Sequence, residues 1–91
     1  VTFTKGNTYI IAELKYTRSA RQDIEAAIGQ LLRYQLHPLA QKPGDELLIV
    51  SGNIPKKEDI QWFKLIKEKL NLPLSFLYES KSKDCFLGIE D

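Results

Sequence analysis

The eight residues Thr8–Lys15 read TYIIAELK, an apolar run that ends in a carboxylate and an amine two positions apart. Alternate side chains of a strand lie on the same face, so Glu13 and Lys15 are expected to project together from one end of this strand. Charge at the end of a buried strand is costly unless it coordinates an ion or meets a partner. This strand end is therefore the best candidate in the chain for a functional site.

The segments around this strand predict a small α/β fold. Residues 1–4 alternate apolar and hydroxyl side chains, and residues 5–7 read Lys-Gly-Asn, which together predict an antiparallel hairpin with residues 8–15. Residues 9–16 are apolar on both faces, which predicts a central strand covered by helices on each side. A right-handed crossover through the following helix then places the next strand parallel to this one.

Two amphipathic helices alternate with the remaining strands. Ser19 is predicted to cap the first helix, with Gln22 completing a capping box, and His37-Pro38 is predicted to end it. The second helix is predicted between residues 55 and 73. Short apolar runs predict three further strands, at residues 46–51, 74–78 and 85–89. The order of these elements indicates an α/β fold with a mixed β-sheet flanked by helices.

Composition limits the classes of function. The chain has 91 residues, of which 43% are apolar and 27% charged, as expected of a single globular domain spanning residues 1–91. The net charge of +1 neither requires nor excludes a nucleic-acid partner, because acids elsewhere can balance a local basic patch. One cysteine and one histidine exclude an internal disulfide and a zinc cluster. No apolar run reaches the ~20 residues of a membrane span, so a cytoplasmic location without membrane contact is expected.

Four polar side chains form the candidate catalytic set, namely Glu13, Lys15, Gln30 and Tyr34. A carboxylate at a strand end can bind Mg²⁺, and such an ion stabilises charge on a phosphodiester and helps to deprotonate the attacking water. Lys15 can orient that water or neutralise charge on the scissile phosphate. Gln30 and Tyr34 share one helix face, where they can contact a phosphate or hold Lys15 in place.

The segment Ile11-Ala12-Glu13-Leu14-Lys15 resembles the (D/E)xK strand of the PD-(D/E)xK nuclease superfamily. The helix sequence Gln30-Leu31-Leu32-Arg33-Tyr34 is similar to the QxxxY motif of its RecB-like exonuclease branch. The resemblance covers residues 1–51. It implies a restriction-endonuclease-like core that lacks its first helix and strand.

The resemblance also implies an activity, the hydrolysis of DNA phosphodiesters with Mg²⁺ or Mn²⁺ as cofactor. Glu13 and the carbonyl group of Leu14 would be the metal ligands. Lys15 would be the catalytic lysine, with Gln30 and Tyr34 in support.

Two pairs of residues have a plainer interpretation beside the functional one. Arg18 and Arg21, between the strand and the helix, are positioned to grip DNA phosphates beside the site. They could equally be solvated loop residues. Gln30 and Tyr34 could be no more than the polar edge of an amphipathic helix.

One part of the family pattern is missing. The family carries an aspartate on the strand before the glutamate, where this chain has Val1 and Thr2. Three explanations stay open: the sequence is a piece of a longer chain and begins just past the aspartate, the metal site has been lost, or Glu90 or Asp91 of this chain or a partner chain reaches the gap.

The chain is therefore interpreted as a metal-dependent DNA nuclease or the nuclease-fold domain of one. The first alternative is a catalytically inactive nuclease-like module that serves DNA binding or subunit assembly. A structural α/β interaction domain without nucleic acid is a weaker alternative, and a homodimer is an assembly that the sequence leaves open.

Overall fold

The structure is a computed structural model that describes residues 1–36 and 42–89. The elements, in chain order, are β1 (Thr2–Lys5), β2 (Thr8–Lys15), α1 (Ala20–Leu36), β3 (Glu46–Ser51), α2 (Lys57–Leu70), β4 (Leu74–Glu79) and β5 (Phe86–Gly88). The predicted α/β class with a mixed sheet is confirmed. Predicted element ends differ from the observed ones by one or two residues, as is usual for ends that fray.

The five strands form one sheet in the order β1-β2-β3-β4-β5. The two outer pairs, β1 with β2 and β4 with β5, are antiparallel, whereas β2, β3 and β4 run parallel to one another. The predicted hairpin and the parallel crossover are thus confirmed. Both crossovers step in the same direction along the sheet, and because each is expected to be right-handed, both helices are expected on the same face.

The core lies between the two helices and that face of the sheet. Ile11, Leu47 and Leu74 stand side by side in register on the three parallel strands, and all three are buried. Helix α1 contributes Ile24, Ala27 and Leu31 to the same cluster. Helix α2 contributes Phe63, whose ring centroid lies 5.4 Å from that of Phe76.

The opposite face of the sheet carries no helix of the described residues, so the prediction that helices cover both faces of β2 is wrong there. Leu14, Phe3 and Phe86 lie on this face and are 48%, 43% and 49% exposed. Ile10 and Ala12 also lie on it, yet they are only 4% and 3% exposed, since side chains of the adjoining strands surround them. The two-sided apolar pattern of β2 therefore reflects a central place in the sheet rather than two layers of helices.

Helix α1 begins as predicted. The Gln22 N–H donates to the Ser19 hydroxyl over 3.1 Å, which makes Ser19 the N-cap. The side-chain oxygen of Gln22 accepts a hydrogen bond from the Arg18 N–H over 3.3 Å, one residue earlier than a capping box requires. The predicted end at His37-Pro38 lies outside the described residues.

Helix α2 begins at Lys57, two residues after Pro55. The Asp59 carboxylate accepts the Lys56 N–H over 2.8 Å and thereby satisfies one backbone donor at the helix start. Asn71 ends the helix in a left-handed conformation with φ of 50°. Neither helix, over the part of the chain described, is long and apolar enough to cross a membrane.

Candidate functional site

Strand β2 carries Glu13 and Lys15 to the carboxyl end of the parallel strands. Their side chains lie on one face, as the strand period predicts, with Lys15 Nζ 3.4 Å from Glu13 Oε1. Both are partly buried, with 15% of the Glu13 side chain and 23% of the Lys15 side chain exposed. They stand in register with Ile49 and Ser51, which places them on the helix-covered face. Within residues 1–36 and 42–89 this is the one salt bridge.

Backbone hydrogen bonds fix the end of β2 beside this pair. Ala12 exchanges two hydrogen bonds with Val1, of 2.7 and 3.0 Å, while the Gly52 N–H donates to the Lys15 carbonyl over 2.9 Å. Successive residues of a strand direct their backbone groups to opposite edges, so those of Leu14 point to the β1 side, like those of Ala12. The Leu14 carbonyl group thus lies on the edge of β2 that faces β1, and Leu14 follows Glu13 directly in the strand.

A buried carboxylate, Asp23, organises the same end of the sheet. It is 0% exposed and accepts hydrogen bonds from the Thr17 N–H (2.7 Å), the Ser51 hydroxyl (2.5 Å) and the Asn53 side-chain amide (2.8 Å). Thr17 follows β2, and Ser51 and Asn53 lie at the end of β3. The carboxylate therefore fastens the first turn of α1 to the ends of two strands, which is a structural role.

Asp23 is the residue that sequence reasoning missed. In the sequence it resembles any acid in a first helical turn, where a negative charge complements the helix dipole. A weak signal was present in Ser51-Gly52-Asn53, where small polar residues follow a buried strand directly. The contact itself joins residues 28 positions apart and follows from the crossover rather than from a local pattern.

The structure does not join Gln30 and Tyr34 to the charged pair. Gln30 is exposed and Tyr34 is 42% exposed. Among the hydrogen bonds of the described residues, none connects either of them with Glu13 or Lys15. The buried residues of α1, which lie against the sheet, are Ala20, Asp23, Ile24, Ala27 and Leu31. Arg18 and Arg21 are exposed at the start of α1, at the same end of the sheet as the pair.

A hydrogen bond on the other face spans the end of β3. The Tyr16 hydroxyl donates to the Glu79 carboxylate over 2.9 Å, and its ring lies across Gly52. The pKa of Tyr16 is raised above its ordinary value. The largest cause is the hydrogen bond to Glu79, and burial and the nearby negative charges add smaller effects. The neutral phenol is thereby favoured in the folded protein, so this contribution to stability is present below the ordinary tyrosine pKa and is lost as pH rises through the raised one.

We expect Glu79→Gln to return the pKa of Tyr16 toward its ordinary value of about 10, because the carboxylate is the main cause of the shift. Gly52→Ala should do the same, since an added Cβ would overlap the Tyr16 ring and displace it. The measurement is a pH titration followed by tyrosinate absorbance. Each variant is compared with the same variant carrying Tyr16→Phe, and the difference isolates Tyr16 among the four tyrosines. Gly29→Ala is the control, because a Cβ there meets nothing within 4 Å. A Tyr16 pKa unchanged by Glu79→Gln would contradict the interpretation.

The donor set for a cation is partial. Glu13 and the Leu14 carbonyl supply two oxygen donors of the kind that Mg²⁺ accepts along with several waters. In the described part of the chain no group of three or more His, Cys, Asp or Glu side chains is arranged to hold a metal ion. Glu90 and Asp91 lie outside the described residues.

In comparisons with known proteins, no family model, curated protein or solved structure matches this chain.

Proposed function

We propose that this chain is the nuclease-fold domain of a Mg²⁺-dependent DNA nuclease. The observation that carries the proposal is the Glu13–Lys15 pair, a carboxylate and an amine 3.4 Å apart at the carboxyl end of a strand. The hairpin of β1 and β2, the crossover through α1 and the parallel strand β3 are the elements expected of the later part of a restriction-endonuclease-like core. The order of elements thus supports the motif resemblance in its required context.

In this proposal the chain's own groups have separate roles. The Glu13 carboxylate and the Leu14 carbonyl would hold the ion, since both are hard oxygen donors at one strand end. When bound, Mg²⁺ supplies charge stabilisation at the phosphodiester and a more acidic water. The Lys15 ammonium group keeps Glu13 oriented and places a positive charge where the phosphate approaches. Gln30 and Tyr34, which are exposed and not hydrogen-bonded to the pair, would support the site only through contacts of their own with the DNA.

The strand register identifies where a further ligand would fit. Thr2 pairs with Ile11 and Val1 with Ala12, so a residue added before Val1 in the same register lies opposite Glu13. Directly opposed residues of an antiparallel pair project from the same face. A carboxylate at that position would add a third oxygen donor beside Glu13 and Leu14.

Cleavage of supercoiled plasmid DNA with Mg²⁺ or Mn²⁺ tests the proposal. Glu13→Gln and Lys15→Met keep side-chain size and remove the charge, and each is expected to lower the cleavage rate at least about 10²-fold. Circular dichroism must show that each variant stays folded, because the pair is mostly buried and removing one partner leaves the other charge unpaired. Glu25→Gln, on the exposed surface of α1, is the matched control and should keep the rate. Cleavage at an equal rate by Glu13→Gln would reject the proposal.

A second candidate is a non-catalytic nuclease-like module that binds DNA or assembles subunits. It is favoured by the partial donor set in the described residues and by the exposed apolar face of the sheet. Calorimetric titration with Mn²⁺ separates the two candidates. The nuclease proposal expects saturable binding that Glu13→Gln abolishes and that an aspartate added before Val1 strengthens. DNA binding without any Mn²⁺ binding would favour the module.

A further inference from the structure

The two helices begin side by side at the end of the sheet that carries Glu13 and Lys15. The Asn53 side-chain amide donates to the Thr17 carbonyl over 3.0 Å and so joins the loops that lead into them. Ile24, Pro55 and Ile60 line a common apolar crevice, which brings the first turns of α1 and α2 together. Four cationic residues surround these two helix starts, namely Arg18, Arg21, Lys56 and Lys57; we call them the helix-start surface.

The cations at this end are more exposed than most of the acids beside them. All four cations of the helix-start surface are exposed, and none forms a salt bridge with a residue of the ranges 1–36 and 42–89. The nearby acids are mostly engaged by other groups. Asp23 is buried under three donors, Asp59 accepts the Lys56 N–H, and Glu13 pairs with Lys15. Glu58 is the one acid of the two first turns for which the described structure has no such bond.

These cations stand where helix stability favours acids. A helix N-terminus carries roughly half a positive elementary charge, so it repels Arg21 and Lys57 in the first turns and Lys56 at the cap. Lys67 and Lys69, in the last turn of α2, are placed favourably by the same rule. The first turns also hold the acids that the dipole favours, Asp23, Glu58 and Asp59, so helix stability accounts for these acids but not for the cations beside them.

We infer that the helix-start surface binds the phosphate backbone of nucleic acid. The identity of that nucleic acid as DNA rests on the proposed function. Exposed cations with free donors are the groups that contact phosphates, and such contacts position a duplex without reading its sequence. Because Glu13 and Lys15 lie at the same end of the sheet, a DNA strand bound to the helix-start surface would pass the candidate site. Binding is therefore independent of sequence and steeply dependent on salt.

Binding of a short fluorescent DNA duplex of mixed sequence, measured in EDTA over a range of salt concentrations, tests this inference. The double variant Lys56→Gln/Lys57→Gln is expected to weaken the Kd about 10-fold at low salt and to flatten the slope of log K against log salt by about 1–2. Lys67→Gln/Lys69→Gln removes the same charge from the other end of α2. This matched control should change the Kd less than about 2-fold.

The thermal midpoints give a second readout. Removing cations from the start of α2 should leave the Tm unchanged or raise it by about 1–5 °C, whereas the control should lower it slightly. Weaker binding together with a higher Tm would support a surface retained for binding rather than for the fold. A fall in the Tm of Lys56→Gln/Lys57→Gln that accompanies the loss of affinity would overturn the inference.

Three other results would also overturn it. The first is an equal loss of affinity in both double variants, which would mean that net charge alone drives binding. The second is no duplex binding by the unaltered chain at low salt. The third is binding to phosphatidylserine vesicles but not to DNA, which would assign the surface to a membrane. The binding experiment is carried out in EDTA and needs no metal ion. A negative cleavage test with Glu13→Gln therefore does not affect the binding result, and a negative binding result does not affect the cleavage test.

Discussion

Asp23→Ala is expected to lower the free energy of unfolding by about 3–5 kcal/mol, because it removes a fully buried acceptor of three hydrogen bonds. The Ser51 hydroxyl would lose its partner in a buried position, and the Thr17 N–H and the Asn53 amide would lose theirs in partly buried ones. A chain of 91 residues has a total stability of roughly 5–14 kcal/mol, so the variant would lie close to unfolding. Urea denaturation followed by circular dichroism measures the change.

Asp23→Asn tests the charge at this position, and Glu25→Ala serves as the control. Asp23→Asn keeps the size but replaces one acceptor by a donor, and it should still lose about 1–3 kcal/mol. Glu25→Ala, an exposed acid two residues away on the same helix, should stay within about 0.5 kcal/mol of the unaltered chain. A loss below about 1 kcal/mol in Asp23→Ala would contradict the view that this carboxylate fastens α1 to the ends of β2 and β3.

Phe63→Ala is expected to lower the free energy of unfolding by about 3–5 kcal/mol. Phe63 is the one buried residue of α2, and its ring packs against that of Phe76 at a centroid distance of 5.4 Å. Its removal leaves a cavity between the helix and the sheet that half-buried neighbours such as Ile60 and Ile66 fill only in part. The loss should therefore fall mainly on the docking of α2, which faster amide hydrogen exchange in that helix would report.

Trp62→Ala is the matched control for Phe63, because Trp62 is adjacent in sequence and 40% exposed. This variant deletes a larger side chain but removes less buried surface. The free energy of unfolding should therefore fall clearly less than in Phe63→Ala. Equal losses in the two variants would show that the packing of α2 is not centred on Phe63. The comparison is read from urea midpoints at a constant denaturant slope, which excludes a change in the unfolded state.

Much of the fold was predictable because its signals are local. The hairpin follows from two strand-like runs around Lys5-Gly6-Asn7, and Gly6 adopts the left-handed φ of 61° that such a turn requires. The strand Glu46–Ser51 is a short apolar run bounded by turn residues, and both its existence and its ends were predicted. In each case the residues that carry the signal are the residues that form the element.

The candidate site was predictable only in part. Glu13 and Lys15 are two residues apart in one strand, so the strand period alone places them together. Gln30 and Tyr34 share a helix face by their spacing, but the direction of that face depends on how α1 rotates against the sheet. That rotation is set by the burial of Ile24, Ala27 and Leu31, which leaves Gln30 and Tyr34 exposed.

The sequence by itself determined the order of helices and strands and the meeting of Glu13 with Lys15, since both depend on periodicity within one segment. Only the tertiary structure decided that both helices pack on one face of the sheet and that Asp23 reaches Ser51 and Asn53. These features depend on the direction of two crossovers and on the strand register, which relate residues far apart in the chain. No local pattern encodes them, because their free energy arises only when separate elements come into contact.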